Sequence, residues 1–123
     1  MSAKVIDWEY AESQTGGDLS FLEEVLNDLL QEAAQTEVEL QNGIKARDFE
    51  LVRNTAHRIK GSASYLACDA LKNVSLDLQN LGKSGLSCAS PSEENATWTE
   101  IRSRFVEYQN ALVDLTNTVR ARK

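Results

Sequence analysis

Residues 90–119 read SPSEENATWTEIRSRFVEYQNALVDLTNTV, and their apolar positions decide the architecture. Ile101, Phe105, Tyr108, Leu112, Leu115 and Val119 follow one another at steps of four, three, four, three and four. Those steps put all six on one face of an α-helix that packs against other helices. Ser90-Pro91-Ser92-Glu93 marks the start, with a serine cap, a proline at the first helical position and a glutamate placed to close a capping box. The pattern predicts a helix of about 28 residues. Trp98 stands at the head of the stripe and is expected in the core.

The same periodicity recurs towards the N-terminus. Leu71, Val74, Leu78 and Leu81 form one stripe, closed by Gly82, and residues 82–91 (GKSGLSCASP) are expected to form the main loop. Asp48 caps a segment carrying Phe49, Val52, Ala56, Ile59, Ala63 and Leu66, with a break around Ala67-Cys68-Asp69. Asp18 caps a further one with Leu19, Leu22, Leu26, Leu29, Ala33, Leu40 and Ile44, ending near Ala46-Arg47. A bend is expected in it at Ala33-Ala34-Gln35-Thr36. Residues 5–14 (VIDWEYAESQ) predict two or three turns that end at Gly16-Gly17. No strand pattern or internal repeat competes. The expected fold is all-α: an antiparallel up-down four-helix bundle over about residues 18–120 with a short N-terminal helix, 1–123 being a single domain.

Composition narrows the function classes. A chain of 123 residues with 41% hydrophobic content is too apolar for a disordered tail. No stretch reaches the roughly 18 apolar residues of a membrane span, and MSAKVIDWEY has no apolar signal core. A cytoplasmic location is expected, with the nucleus left open. Cys68 and Cys88 lack C-x-x-C spacing and are expected as reduced thiols, one a small core residue and one in a loop. One histidine and no cysteine cluster offer too few ligands for zinc.

Thirteen Lys and Arg against nineteen Asp and Glu leave a net charge of −6, which repels nucleic acid. The charge is uneven. Residues 1–44 contain ten acids and one base, Lys4, whereas residues 45–60 contain Lys45, Arg47, Arg53, Arg58 and Lys60 against Asp48 and Glu50. A local basic patch in an acidic chain suits a partner with an acidic pocket.

His57 lies in that patch. At about 100° per residue, Glu50, Arg53, Asn54, Lys60, Gly61 and Ser64 fall within roughly 60° of it, and the apolar stripe occupies the far side. His57 is therefore expected on the polar face. An imidazole titrates at about pH 6.5 when free, so a neutral ring nitrogen is at hand as a nucleophile. Lys60, three residues on, can place an ammonium beside whatever the ring carries. Gly61 is anomalous, because a mid-helix glycine costs about 1 kcal/mol relative to alanine. Its presence implies either local strain or the close approach of another body.

His57-Arg58-Ile59-Lys60-Gly61-Ser62-Ala63-Ser64-Tyr65-Leu66 resembles the H-x-x-K-G-S-[SA]-x-x-[LI] signature of histidine-containing phosphotransfer (HPt) domains. Leu78-Gln79-Asn80-Leu81-Gly82-Lys83, Ile6-Asp7-Trp8, the Phe21-to-Gln35 helix and the Ala46-Arg47-Asp48 turn are similar to the yeast-type phosphorelay intermediates. The resemblance spans roughly residues 5–115. It implies a shuttle: His57 takes phosphoryl from a receiver aspartate of a hybrid sensor histidine kinase and passes it to a response-regulator receiver. Lys60 would offset phosphoryl charge with Arg53 and Arg58 around it, Gly61 would admit the receiver loops, and Gln79 would orient the ring through Nδ1. Ser64 would be within reach to hydrogen-bond near the phosphoryl group. Ser62 lies about 140° round the helix and is expected to bond back to its own helix. Trp8 and Tyr10 would join Arg53 and Arg58 in a docking rim for the receiver, the alternative for Trp8 being that it covers one end of the bundle.

The family often has glycine after Leu66, where this chain has Ala67, a change expected to shift the helix end and spare the site. No cofactor is implied for this chain, magnesium belonging to the partner receiver, and a monomer is expected. The chain carries no P-loop or kinase signature with which to make phosphohistidine from ATP. The rival reading is a helical interaction module without chemistry. A hydrolase is remoter, because no serine, cysteine or second histidine is spaced to complete a triad.

Overall fold

The computed structural model describes residues 4–122; residues 1–3 and 123, which the single-domain reading includes, lie outside the described residues. Five helices follow one another: α1 (Trp8–Gln14), α2 (Leu19–Lys45), α3 (Phe49–Tyr65), α4 (Asp69–Gly85) and α5 (Pro91–Arg122). Helices α2 to α5 reverse direction in turn and pack in a ring, α2 on α3, α3 on α4, α4 on α5 and α5 on α2. The all-α, up-down four-helix architecture is thus as the periodicity predicts. Its core takes one stripe from each helix, including Leu40, Val52, Ile59, Leu78, Trp98, Ile101 and Tyr108.

Local chemistry sets the helix ends. The carboxylates of Asp7, Asp18 and Asp48 accept from the backbone N–H of Tyr10, Phe21 and Leu51, three residues on. At the start of α5 the Glu93 N–H donates to Ser90 Oγ at 3.2 Å, and the Glu93 carboxylate accepts from Ala89 N–H at 2.9 Å. Helices α1, α2 and α3 end alike. The residue past the cap turns left-handed, and the next N–H reaches back five residues: Gly17 to Glu12, Asp48 to Gly43 and Cys68 to Ala63. Gly16 provides the left-handed residue after α1, but Arg47 (φ 52°) and Ala67 (φ 55°) have to adopt it with side chains.

Helix α2 is unbroken at residues 33–36, where a bend was expected, and the expected end of α4 is corrected. Ala33 and Thr36 face the core, and the absence of bulk at Ala33 lets the Tyr108 ring approach, so that its hydroxyl donates to the Ala33 carbonyl at 2.8 Å. Burial, with Glu37 nearby, pushes the Tyr108 phenol up and keeps it a donor. Nor does α4 stop at Gly82: it continues to Gly85, leaving only residues 86–90 between helices.

At 27 and 32 residues, α2 and α5 outrun α3 and α4, which have 17 each. The overhang is where α1 sits. Ala11 is fully buried there, and the Trp8 ring lines a cavity with Leu19, Leu22, Leu26 and Val119. The Arg122 guanidinium lies 4.0 Å from the centre of that ring and pairs with Glu12. Asp7 N–H to the Ala67 carbonyl (3.0 Å) and Ala70 N–H to the Lys4 carbonyl (2.9 Å) pin the preceding residues to the α3–α4 turn.

Left-handed backbone costs a residue with a Cβ about 1–2 kcal/mol, part of which glycine's extra unfolded freedom offsets. Ala67→Gly is therefore expected to stabilise the fold by about 0.5–1 kcal/mol, read as a higher urea midpoint; an unchanged midpoint would show that Ala67 is unstrained.

Candidate functional site

The Asp48 cap fixes where α3 begins, and the burial of Val52, Ala56, Ile59 and Ala63 fixes its rotation. His57 then points away from the core and is exposed. Its Nδ1 lies 3.2 Å from Oε1 of Gln79 on α4. An amide oxygen only accepts, so this contact puts a proton on Nδ1, and in the neutral ring the lone pair is then on Nε2.

Around the ring, α3 is fastened on both flanks. Gln79 holds one side. On the other, Arg58 pairs with Glu39 of α2 at 2.6 Å, and the Ser62 hydroxyl donates to the Glu32 carboxylate at 3.1 Å. Ser62 thus bonds to a neighbouring helix, not back to its own as expected, because its direction carries it into the α2–α3 groove. Between the flanks His57, Gly61 and Ser64 are exposed and Lys60 is half-buried. Lys60 makes no ion pair among the described residues, so its ammonium is available to an incoming anion. Arg53, one turn before His57, bonds its neighbour Asn54 and stands 4.0 Å from Glu50.

Gly61 resolves the choice posed by the sequence. It is ordinary right-handed helix, and a Cβ built there would meet nothing within 4 Å. Neither strain nor packing inside the chain requires it. The other three helical glycines, Gly43, Gly82 and Gly85, are all pressed against neighbouring atoms.

The docking residues do not come together as one rim. Trp8 belongs to the α2–α5 overhang under Arg122, and Arg58 is engaged by Glu39. Tyr10 is exposed and joins a residue that the sequence reading passed over, Tyr65. The Gln14 amide donates to the Tyr10 hydroxyl (3.1 Å) and the Tyr65 carbonyl (3.2 Å), and the Tyr65 hydroxyl donates to the Gln14 carbonyl (3.1 Å). Tyr65 also borders an open groove between α2 and α3 with Asp28, Glu32 and Gly61. Eight residues beyond His57 it lies about 80° round α3, on the side away from the apolar stripe, and that was the available signal.

Among the described residues, no group of three or more His, Cys, Asp or Glu is arranged to hold a metal ion. Burial pushes the Cys68 thiol up to about 12, which makes it an inert core residue, and Cys88 is a free, half-buried thiol beside Thr97. No helix is long and apolar enough to cross a membrane.

The Hpt domain family matches residues 24–120, and the chain belongs to it. Hpt domains are phosphoryl carriers that serve histidine phosphotransfer in phosphorelays and interact with receiver domains. No curated protein matches the chain. Its fold is similar to the HPT domain of a sensor hybrid histidine kinase from Shewanella, with a TM-score of 0.72 and 15% identity over 95% of this chain and 92% of that one. It is also similar to histidine-containing phosphotransfer protein B (HptB) from Pseudomonas aeruginosa PAO1, with a TM-score of 0.68 and 17% identity over 98% of both chains.

Because nothing inside the chain opposes a side chain at Gly61, Gly61→Ala is expected to raise the stability of the isolated protein by about 0.5–1 kcal/mol. Denaturant unfolding checks this, and a destabilised variant would reveal an internal constraint at that position.

Proposed function

We propose that this chain, residues 1–123 acting as one unit, is a phosphorelay intermediate that carries phosphoryl on Nε2 of His57. The donor is an aspartyl phosphate on the receiver domain of a hybrid sensor kinase, and the acceptor is the receiver aspartate of a response regulator. The observation that carries the reading is an exposed imidazole, held through Nδ1 by Gln79, beside a helix face that only an outside body has reason to keep bare.

In the forward step the Nε2 lone pair attacks phosphorus, the N–P bond forms and the P–O bond to the receiver carboxylate breaks. The carboxylate departs with the electron pair, and Nδ1 keeps its proton, donated to Gln79. Transfer onward is the reverse reaction at a second receiver. Because the carbonyl of Gln79 stabilises Nδ1–H, it also stabilises the ring as it takes on positive charge during attack. The Lys60 ammonium offsets the phosphoryl oxygens, and Ser64, one turn further, offers a hydroxyl to them. Magnesium and the acidic pocket belong to the receiver.

Docking is assigned to the open strip of α3. Arg53 supplies charge at one end, and Tyr65 with Tyr10 supplies apolar surface at the other. Trp8 and Arg58 are left to the overhang and to Glu39. The same reading makes the protein a monomer working in the cytoplasm, the nucleus being open to it.

A phosphorylated receiver is expected to label the chain with acid-labile, alkali-stable phosphate, and His57→Gln to abolish the label; label persisting in that variant would refute the assignment. Lys60→Ala is expected to slow transfer by roughly tenfold without stopping it, the loss of one charge-assisted contact. Gly61→Ala is expected to slow transfer while leaving the isolated protein more stable. A rate unchanged by either substitution in rapid-quench assays would remove the corresponding role.

A further inference from the structure

We infer that Gly82 is a positioning residue for His57: by letting the main chains of α3 and α4 touch, it brings Gln79 within reach of the imidazole. The inference rests on the reading of His57 as the phosphoryl carrier. Gly82 is buried in the last turn of α4 and does not end it, so a glycine there needs another reason.

The reason is steric. A Cβ at Gly82 would stand 2.8 Å from the Arg53 nitrogen, 2.9 Å from the Phe49 carbonyl oxygen and 3.0 Å from the Arg53 Cα. All three are main-chain atoms of α3, so no side chain can swing aside to relieve the contact. Any other residue drives the helices apart by several tenths of an ångström, the shortfall from ordinary van der Waals separation.

The contact sits close to the site. Arg53 precedes His57 by one turn and Gly82 follows Gln79 by about one turn on the antiparallel neighbour, so roughly 5 Å separates the glycine contact from the His57–Gln79 pair. That pair is already at 3.2 Å, the long end of the N–H···O range. Widening the seam takes it beyond hydrogen-bond distance. The ring is then free to hold its proton on Nε2, where the proton blocks attack. By contrast Gly43, on the α2 side, faces side-chain atoms of Val52 at 3.2 Å and Leu51 at 3.4 Å, and a Cβ there loads α3 without opening the α3–α4 seam.

His57 is the single histidine, so its two ring nitrogens are identified directly in ¹⁵N-labelled protein. The ¹⁵N shifts report the tautomer with no phosphate present, so they stand apart from the labelling test of the phosphotransfer reading. Gly82→Ala is expected to move the tautomer ratio to that of Gln79→Ala, and to add nothing when the two are combined. Its transfer rate should fall to the Gln79→Ala rate, and Gly43→Ala should keep the wild-type ratio. A folded Gly82→Ala protein with the wild-type ratio, a further shift in the double variant, or an equal shift from Gly43→Ala would overturn the inference. If Gly82→Ala does not fold, Gln79→Asn decides, since it shortens the reach by one methylene and leaves the seam intact. Loss of the Nδ1–H preference there supports the inference; its retention shows slack in the seam and overturns it.

Discussion

Where Gly82 meets Arg53, two helices touch through their backbones, and much of the molecule is arranged around that contact. It sets the spacing of α3 and α4, the most extensively packed pair of helices in the bundle. Three residues further along α4, Gly85 lies under the Phe49 ring, and that ring stacks on Trp98 of α5 at a centroid distance of 4.2 Å. The upper end of the bundle is thus a layered stack of glycine, phenylalanine and tryptophan. One turn below the backbone contact, the same closeness makes a hydrogen bond between His57 and Gln79 geometrically available. Core packing and site geometry are two readings of one interhelical distance.

Charge is handled by the same economy of neighbours. Two acids of α2 find partners on α3, Glu39 pairing with Arg58 and Glu32 accepting from the Ser62 hydroxyl. These exposed contacts contribute little stability individually. They hold two polar side chains of α3 against α2, off the histidine face. What remains there is an imidazole, an ammonium without an ion pair among the described residues, and a glycine whose Cβ position is open. That strip lies on the outside of the bundle.

Most of the helical framework was legible in the sequence, because helix periodicity is a local property and the caps are local chemistry. Asp18, Asp48 and the Ser90–Glu93 box act where their spacing put them, and Trp98 and Cys68 are core residues. What misled the reading of α4 was a contact between helices. Gly82 read as a terminator because glycine commonly ends helices, but here it admits α3. Ala67 takes a left-handed turn that a glycine would take without strain.

By itself, then, the order of residues determined five helical segments, their buried faces, and a histidine on a polar arc beside a lysine and a glycine. Each follows from angles and caps within a single helix. Only the tertiary structure decided that Gln79 meets Nδ1, that Arg58 and Trp8 are engaged elsewhere, and that Gly61 is open while Gly82 is closed. Those are distances between helices, set by which atoms collide when the stripes are brought together, and no periodicity within one helix contains them.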